Sequence, residues 1–370
     1  MLALSFRHFD LWLLLAGVAL AAYGALLIYS GSLTSYPEGI QGLSHPAVRH
    51  AAFAALGILI ILLVARVDYR RYGQVALPLY AIGLVLLAAV LLVGETTFGS
   101  RRWLNLGGLV IQASEVAKLL TILALAKYLA DRVEEVARLA VFVMSLAIVL
   151  LPALLVLVEP DLGTAVIFGA IWLGMVAIAG ARLRHILILL AVGILATPFV
   201  VLGVMGDYQR ERLATFINPT HDPLGAGFAT LQGEISIGSG GLLGKGFTNG
   251  TQTQLHYLQT PTTDYIFSVL GEELGFVGAL LLFALFVFLL LRGLRVAALA
   301  RDPYGRLVAT GIVIMILAQV FINIGVNIRL LPVTGIPLPF ISQGNSSLLT
   351  LFVSLGILQS ILARHRRMDF

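Results

Sequence analysis

The sequence predicts an all-α polytopic membrane protein with about ten transmembrane helices. Hydrophobic residues make up 59% of the 370 positions and charged ones 12%, and mean hydropathy is +0.97. Apolar runs of about 20 residues recur along the chain, separated by short basic clusters, as expected of a chain dissolved in lipid.

A helix rises about 1.5 Å per residue, so each crossing needs roughly 20 mostly apolar residues. Segments that qualify begin near Phe9, Ala47, Val75, Ala113, Leu139, Leu162, Ile186, Tyr265, Arg306 and Ser346. The first lacks a small-residue cleavage pattern and reads as a retained span. The only long polar interval runs from Gly206 to Asp264, between the seventh and eighth spans. Residues 1–370 therefore read as a single integral membrane domain with one large loop, 206–264.

The net charge of +5 and the pI near 9.6 do not indicate nucleic acid, because the basic residues sit at the ends of apolar runs. Sixteen Lys and Arg fall in one set of alternate loops and seven in the other, namely Arg49, Arg101, Arg102, Arg210, Arg212, Lys245 and Arg329. The positive-inside bias then places both termini in the cytoplasm and the long loop outside. Outer basic residues need another explanation. Singly they are solvated charges or partners of Glu95, Glu211 and Glu234; as a group they suit an anionic ligand at the membrane surface. With no cysteine, disulfides, thiolate nucleophiles and Cys-type zinc sites are excluded.

Glu115 and Lys118 are three residues apart in the fourth span, hence on one helix face. They form either a mutually neutralising pair that holds helices together or the charged wall of a cavity. In Glu159-Pro160-Asp161-Leu162-Gly163-Thr164, Pro160 breaks one helix and Asp161 caps the next. The glycine-rich stretch SIGSGGLLGKGFTNGTQ, residues 236–252, fails as a phosphate loop, since Ser239 stands where Gly is required and Gly246 where Ser or Thr is required. Its glycines still permit close backbone approach and amides turned toward an anion. At the end of the loop, Thr262 or Thr263 is expected to cap the next helix and put Asp264 in its first turn. A helix-start carboxylate favoured by the macrodipole is the plain alternative to a functional acid there. Glu272 and Glu273 need partners or water. Pro332, Pro337 and Pro339 prevent regular helix at membrane depth, which is tolerated only in protein or against a wet cavity. Asn323, Asn327, Ser342, Gln343 and Asn345 add polar groups, and the inference is a cavity open to the outside.

Taken in order, RRWLNLGG with IQASE and AKL, PDLGTA, YQRERLATFINP, GSGGLLGKGF, TDYIF with GEELGF, and PVTGIPLPF resemble the RodA/FtsW family of bacterial shape, elongation, division and sporulation proteins (SEDS) over essentially the whole chain. GTQTQLHYL is closer to the RodA branch. Thr260 to Thr263 depart from the family's usual Pro, Glu, any residue, His, and Arg329 and Ser342 to Asn345 depart as well; these differences bear on acceptor binding. The resemblance implies a peptidoglycan glycosyltransferase of the cytoplasmic membrane that polymerises lipid II, an undecaprenyl-pyrophosphate-linked precursor, alongside a class B penicillin-binding protein. Such a transfer needs one base for the acceptor hydroxyl and cations for the pyrophosphate. Asp264 suits the base. Arg101, Lys118, Arg210, Arg212 and Lys245 are candidate cations, with Glu115 beside them at the substrate site. A divalent cation such as Mg2+ or Mn2+ on the pyrophosphate is compatible with this chemistry, although no metal-ligand cluster stands out and the seven His are scattered. The competing readings are a flippase for the lipid-linked precursor and a structural scaffold for the partner enzyme. The partner's single span is expected against the eighth and ninth spans, near Phe276 and Gly278.

Overall fold

Lipid offers no hydrogen bonds to a bare backbone, so the apolar runs must cross it as helices. In the computed structural model they do, as α1 (Leu11–Ser32), α2 (Pro46–Arg66), α4 (Ala76–Val93), α5 (Ala113–Ala130), α6 (Leu139–Val158), α7 (Leu162–Ala179), α8 (Leu183–Gly203), α12 (Ile266–Leu299), α13 (Pro303–Asn327) and α14 (Asn345–Ala363). Each begins within three residues of its expected start. Eight of them are long and apolar enough to span by composition among the described residues. The other two are α5, which carries Glu115, Lys118 and Lys127, and α8, apolar over Leu183–Leu195. Short helices α3 (Tyr69–Gln74), α9 (Asp207–Ile217), α10 (Phe228–Gly240) and α11 (Thr251–Gln254) lie in the connections. The structure describes residues 9–365 except Pro37, Gln41, Phe98, Gly99, Gly107, Gly108, Val204, Met205 and 219–226; it leaves out the side chains of 95–97, 100, 101, 106, 109, 196–202 and 207–209.

The loop after α4 contains a small antiparallel sheet that the helical reading did not anticipate. Strands β1 (Glu95–Thr97), β2 (Ser100–Leu106) and β3 (Leu109–Gln112) pair in that order, with Trp103 opposite Gln112 and Leu104 opposite Ile111. Ser346 at the start of α14 anchors it: its hydroxyl accepts from the Gln112 amide at 3.0 Å and donates to the Val110 carbonyl at 3.1 Å.

Helices α13 and α14 are mostly buried, while α2 and α4 expose most of their surface to lipid. Packing depends on small residues, as usual where lipid removes the hydrophobic drive between helices. Gly57 on α2 receives the Phe352 ring of α14, Gly356 receives Val64, and Gly174 on α7 receives Ile314 of α13. At the expected cytoplasmic end Arg292 pairs with the buried Asp10, and Gln359 bonds the Asp10 backbone in both directions, at 2.9 and 2.7 Å. That clasp joins α1, α12 and α14.

Helix α12 is broken at Gly275 (φ 62°, ψ −158°), a conformation only glycine adopts readily. The glycine-rich loop splices the break. Lys245 and Gly246 donate their amides to the carbonyls of Glu272 and Glu273 at 2.9 and 3.0 Å, and Phe276 and Val277 donate to Gly241 and Leu242 at 3.0 and 3.1 Å. Four backbone groups beside the break are thereby satisfied, as membrane depth demands.

A Cβ at position 57 would lie 2.1 Å from Phe352 Cδ2, whereas one at Gly169 would meet nothing within 4 Å. Gly57→Ala is expected to destabilise the fold by about 1–3 kcal/mol, the usual cost of overpacking, while Gly169→Ala is neutral or stabilising. Thermal unfolding of the two variants in detergent checks the contrast.

Candidate functional site

A cavity of about 760 Å³ lies where the segments joining the helices converge on the expected outer side. Its wall includes Arg102 and Trp103 from β2, Glu211 and Arg212 from α9, Gln259, Thr260, Thr263 and Asp264 before α12, and Val333, Gly335 and Gln343 from the proline-rich segment before α14. This size is ordinary for a small-molecule or headgroup site.

Asp264 is partly buried in this wall. It precedes α12, whose N-cap is Tyr265 without a side-chain cap bond, so Thr262 and Thr263 do not play the capping role expected of them. Other groups hold it instead. Asn323 and Asn327, one helical turn apart on α13, both donate to the Asp264 carbonyl, at 3.2 and 2.8 Å. Asn323 also donates to Ile336 O at 2.8 Å, tying in the proline-rich segment. Ser342 donates to Thr263 O at 2.6 Å, and the Gln343 amide donates to Thr262 O at 2.8 Å. The side chains of two asparagines and a serine, with the Gln343 backbone amide, thus satisfy the carbonyls of residues 262–264 and of Ile336 where the chain is not helical.

The charges around Asp264 are balanced. Burial raises its pKa above the usual carboxylate value, Arg212 and Arg102 pull it back down, and Asp161 raises it again. Arg212 Nη1 donates to Val333 O at 2.9 Å, across the cavity from α9. Arg102 Nη2 donates to Pro160 O at 2.6 Å, and its Nη1 lies 3.9 Å from Asp161 Oδ2. Asp161 meanwhile caps α7 as expected, accepting from the Thr164 amide at 3.1 Å and hydroxyl at 2.9 Å. Gly335 sits between Arg102 and Asp264: a Cβ there would lie 3.5 Å from Arg102 Nη1 and 4.0 Å from Asp264 Oδ2.

Of the site residues expected from sequence, the structure brings together Asp264 and Arg212 in the cavity wall. Arg210 is exposed on α9 outside that wall. Lys245 pairs with Glu272 at 2.8 Å and also donates to Thr251 Oγ1, away from the cavity. The glycine-rich loop does turn its amides toward anions, but these belong to the chain: Gln252 N donates to Glu272 at 2.9 Å and Thr248 N to Glu273 at 3.1 Å. Glu115 and Lys118 form a buried ion pair at 2.8 Å, with Gln319 Nε2 3.4 Å from Glu115, and neither lines the cavity. The side chain of Arg101 lies outside the described residues. Its neighbour Arg102 is in the wall. The sequence reading places Arg102 among the outer cations and not among the site residues, because outer position alone does not distinguish one arginine from another.

Residues 11–367 match the FtsW/RodA/SpoVE family, described as cell cycle protein. Peptidoglycan glycosyltransferase MrdB of Escherichia coli strain K12 is 39% identical over 361 residues, covering 98% of this chain and 95% of that protein. Stage V sporulation protein E of Bacillus subtilis strain 168 is 38% identical, covering 95% of this chain and 96% of that one. Among solved structures, a chain from a study of how a peptidoglycan synthase complex coordinates polymerization and crosslinking superposes with a TM-score of 0.82 at 32% identity, over 96% of this chain and 98% of that one. The rod shape determining protein RodA of Thermus thermophilus superposes with a TM-score of 0.71 at 30% identity, over 98% of each chain. By sequence and by fold alike, the chain belongs to the FtsW/RodA/SpoVE family.

Proposed function

We propose that the outer cavity polymerises lipid II, with Asp264 as the general base and Arg102 and Arg212 as the cations that receive the pyrophosphate. The chain is a peptidoglycan glycosyltransferase of its family. The observation that carries the site assignment is the partly buried carboxylate of Asp264 set between two arginines in a cavity of headgroup size.

The acceptor sugar hydroxyl attacks the anomeric carbon of the donor while Asp264 takes the hydroxyl proton. The bond from that carbon to the pyrophosphate oxygen breaks, and its electron pair leaves with undecaprenyl pyrophosphate. A diphosphate needs cationic stabilisation rather than a proton, which is what two arginines offer. Direct displacement on an α-linked donor inverts the centre and gives a β-linkage, by analogy with inverting glycoside chemistry. Burial makes Asp264 a better proton acceptor, and the arginines favour its ionised form. A divalent cation would be held mainly by the substrate's own phosphates, since no cluster of three or more His, Asp or Glu occurs among the described residues.

In this reading the site faces the outer surface of the bacterial cytoplasmic membrane, with both termini inside, an orientation that the distribution of Lys and Arg supports. A class B penicillin-binding protein is the partner this reading calls for. Gly278 cannot receive its span directly, because it is buried and its carbonyl accepts from the Tyr23 hydroxyl at 3.2 Å. The adjoining apolar face of Phe276, Val277 and Leu280 is exposed.

With lipid II and its partner protein, the purified chain is expected to make glycan strands, and Asp264→Asn to lower the rate at least about 10²–10⁴-fold, the range for a general base, while the complex still forms. Full polymerisation by a folded Asp264→Asn protein would remove the catalytic assignment. Translocation of lipid II in proteoliposomes without any polymer would favour the flippase.

The pH profile of kcat/KM should rise on its acidic side as Asp264 ionises, at a pH above the ordinary carboxylate value of 3.8 because burial raises its pKa. Arg212 lowers that pKa, so Arg212→Ala should move the acidic limb to higher pH as well as slow the reaction. An unmoved limb would show that another group sets it.

Lys245→Ala separates structure from chemistry. It leaves Glu272 buried with one cation fewer, and Lys245 is itself 28% exposed, so after allowance for solvent screening a loss of about 1–2 kcal/mol of stability is expected. The acidic limb of the pH profile should stay in place. Thermal unfolding and the polymerisation assay together read the outcome.

A further inference from the structure

The turn between α6 and α7 holds a carboxyl that neither capping nor the transfer step accounts for. Glu159 is 1% exposed and its Oε1 has no hydrogen-bond partner. Two more buried polar atoms nearby in the fold are unpartnered: Arg102 Nε and Thr334 Oγ1. Thr334 packs against Gly163 in the first turn of α7, and Arg102 donates to Pro160 O, the residue after Glu159. Native interiors rarely leave such groups unpaired, and an ionised carboxylate without a donor is the costliest of them.

We propose that Glu159 is a positioning residue for Arg102: as a neutral acid it leaves the guanidinium to Asp161 and Asp264, and as an anion it draws the guanidinium away from the cavity. This rests on the assignment of Arg102 to the pyrophosphate and of Asp264 to the base. The titratable and charged groups acting on Glu159 are Asp161, at the N-cap of α7, and Arg102, from β2. The first disfavours its charge and the second favours it. Burial outweighs both, and the Glu159 pKa is pushed up to about 8. With Glu159 neutral, two arginines face two carboxylates, Asp161 and Asp264. Ionisation adds a third carboxylate acting on Arg102, whose Nε is unpartnered. The geometry therefore couples one buried proton to the placement of the cation that meets the leaving group.

The polymerisation rate of the chain with its partner protein, measured from pH 6 to about pH 10 on lipid II, tests this. Wild type should lose activity on the alkaline side with a midpoint near the Glu159 value of about 8, falling about tenfold per pH unit beyond it. Glu159→Gln, which is fixed in the neutral form, should keep its neutral-pH rate within about threefold and lose that limb. A wild-type profile flat through this range would overturn the proposal whether or not the variant folds. So would a Glu159→Gln profile with the same limb as wild type, or a folded, partner-bound Glu159→Gln protein that is inactive at every pH. Failure of the underlying glycosyltransfer assignment looks different: polymer would then form undiminished after Asp264→Asn, whatever the alkaline limb does.

Discussion

The structure depends on one constraint: every backbone polar group at membrane depth must find a partner within the protein. Where the chain stays helical the requirement meets itself. The functional architecture lies where helix stops, and there the partners are specific side chains and loop backbone groups. Asn323 and Asn327 close the backbone at Asp264. Ser342 and Gln343 close it at Thr263 and Thr262. The glycine-rich loop closes the gap in α12 at Gly275. Each repair fixes a geometry that a helix could not supply, and one of them fixes the acid.

Charge follows the same logic. Buried ions are costly, so the protein pairs them near where they are buried. Glu115 is paired with Lys118, Glu272 with Lys245, and Asp10 with Arg292. These pairs are spent on structure. Around Asp264 the balance is looser, with Arg102 shared between Asp161 and the cavity and Arg212 reaching across from α9. Arg102 keeps guanidinium capacity for an incoming anion, since its Nε is unpartnered, and this separates the cavity from the tightly closed ion pairs elsewhere in the bundle.

The spans were legible because lipid imposes a length and a composition, and each begins within three residues of its expected start. Asp264 was legible as a carboxylate where the polar loop re-enters the membrane, and the structure puts it in the cavity wall. Which outer basic residues share that wall was not. Outer placement marks Arg101, Arg102, Arg210, Arg212 and Lys245 equally, and only tertiary structure shows that Arg102 and Arg212 line the cavity while Lys245 serves Glu272. The glycine-rich loop misled in an instructive way. Its amides do meet carboxylates, but those of Glu272 and Glu273, a pairing that depends on a helix break invisible in the apolar pattern. The sheet before α5 was hidden for a similar reason, since seven residues of β2 are too short to announce a strand beside long spans.

Glycosyl transfer at a membrane surface calls for a base that is ionised before the reaction and a cationic seat for a diphosphate, in a cavity both sugars can enter. In the mechanism proposed above, Asp264, Arg102 and Arg212 supply these from three separate elements that meet in the cavity wall. The most direct measurement is the structure of the Asp264→Asn protein with lipid II bound. The account predicts the pyrophosphate on Arg102 and Arg212, with the anomeric carbon facing position 264 from within the cavity. Pyrophosphate bound instead at the Lys245–Glu272 pair, or at Glu115 and Lys118, would contradict it.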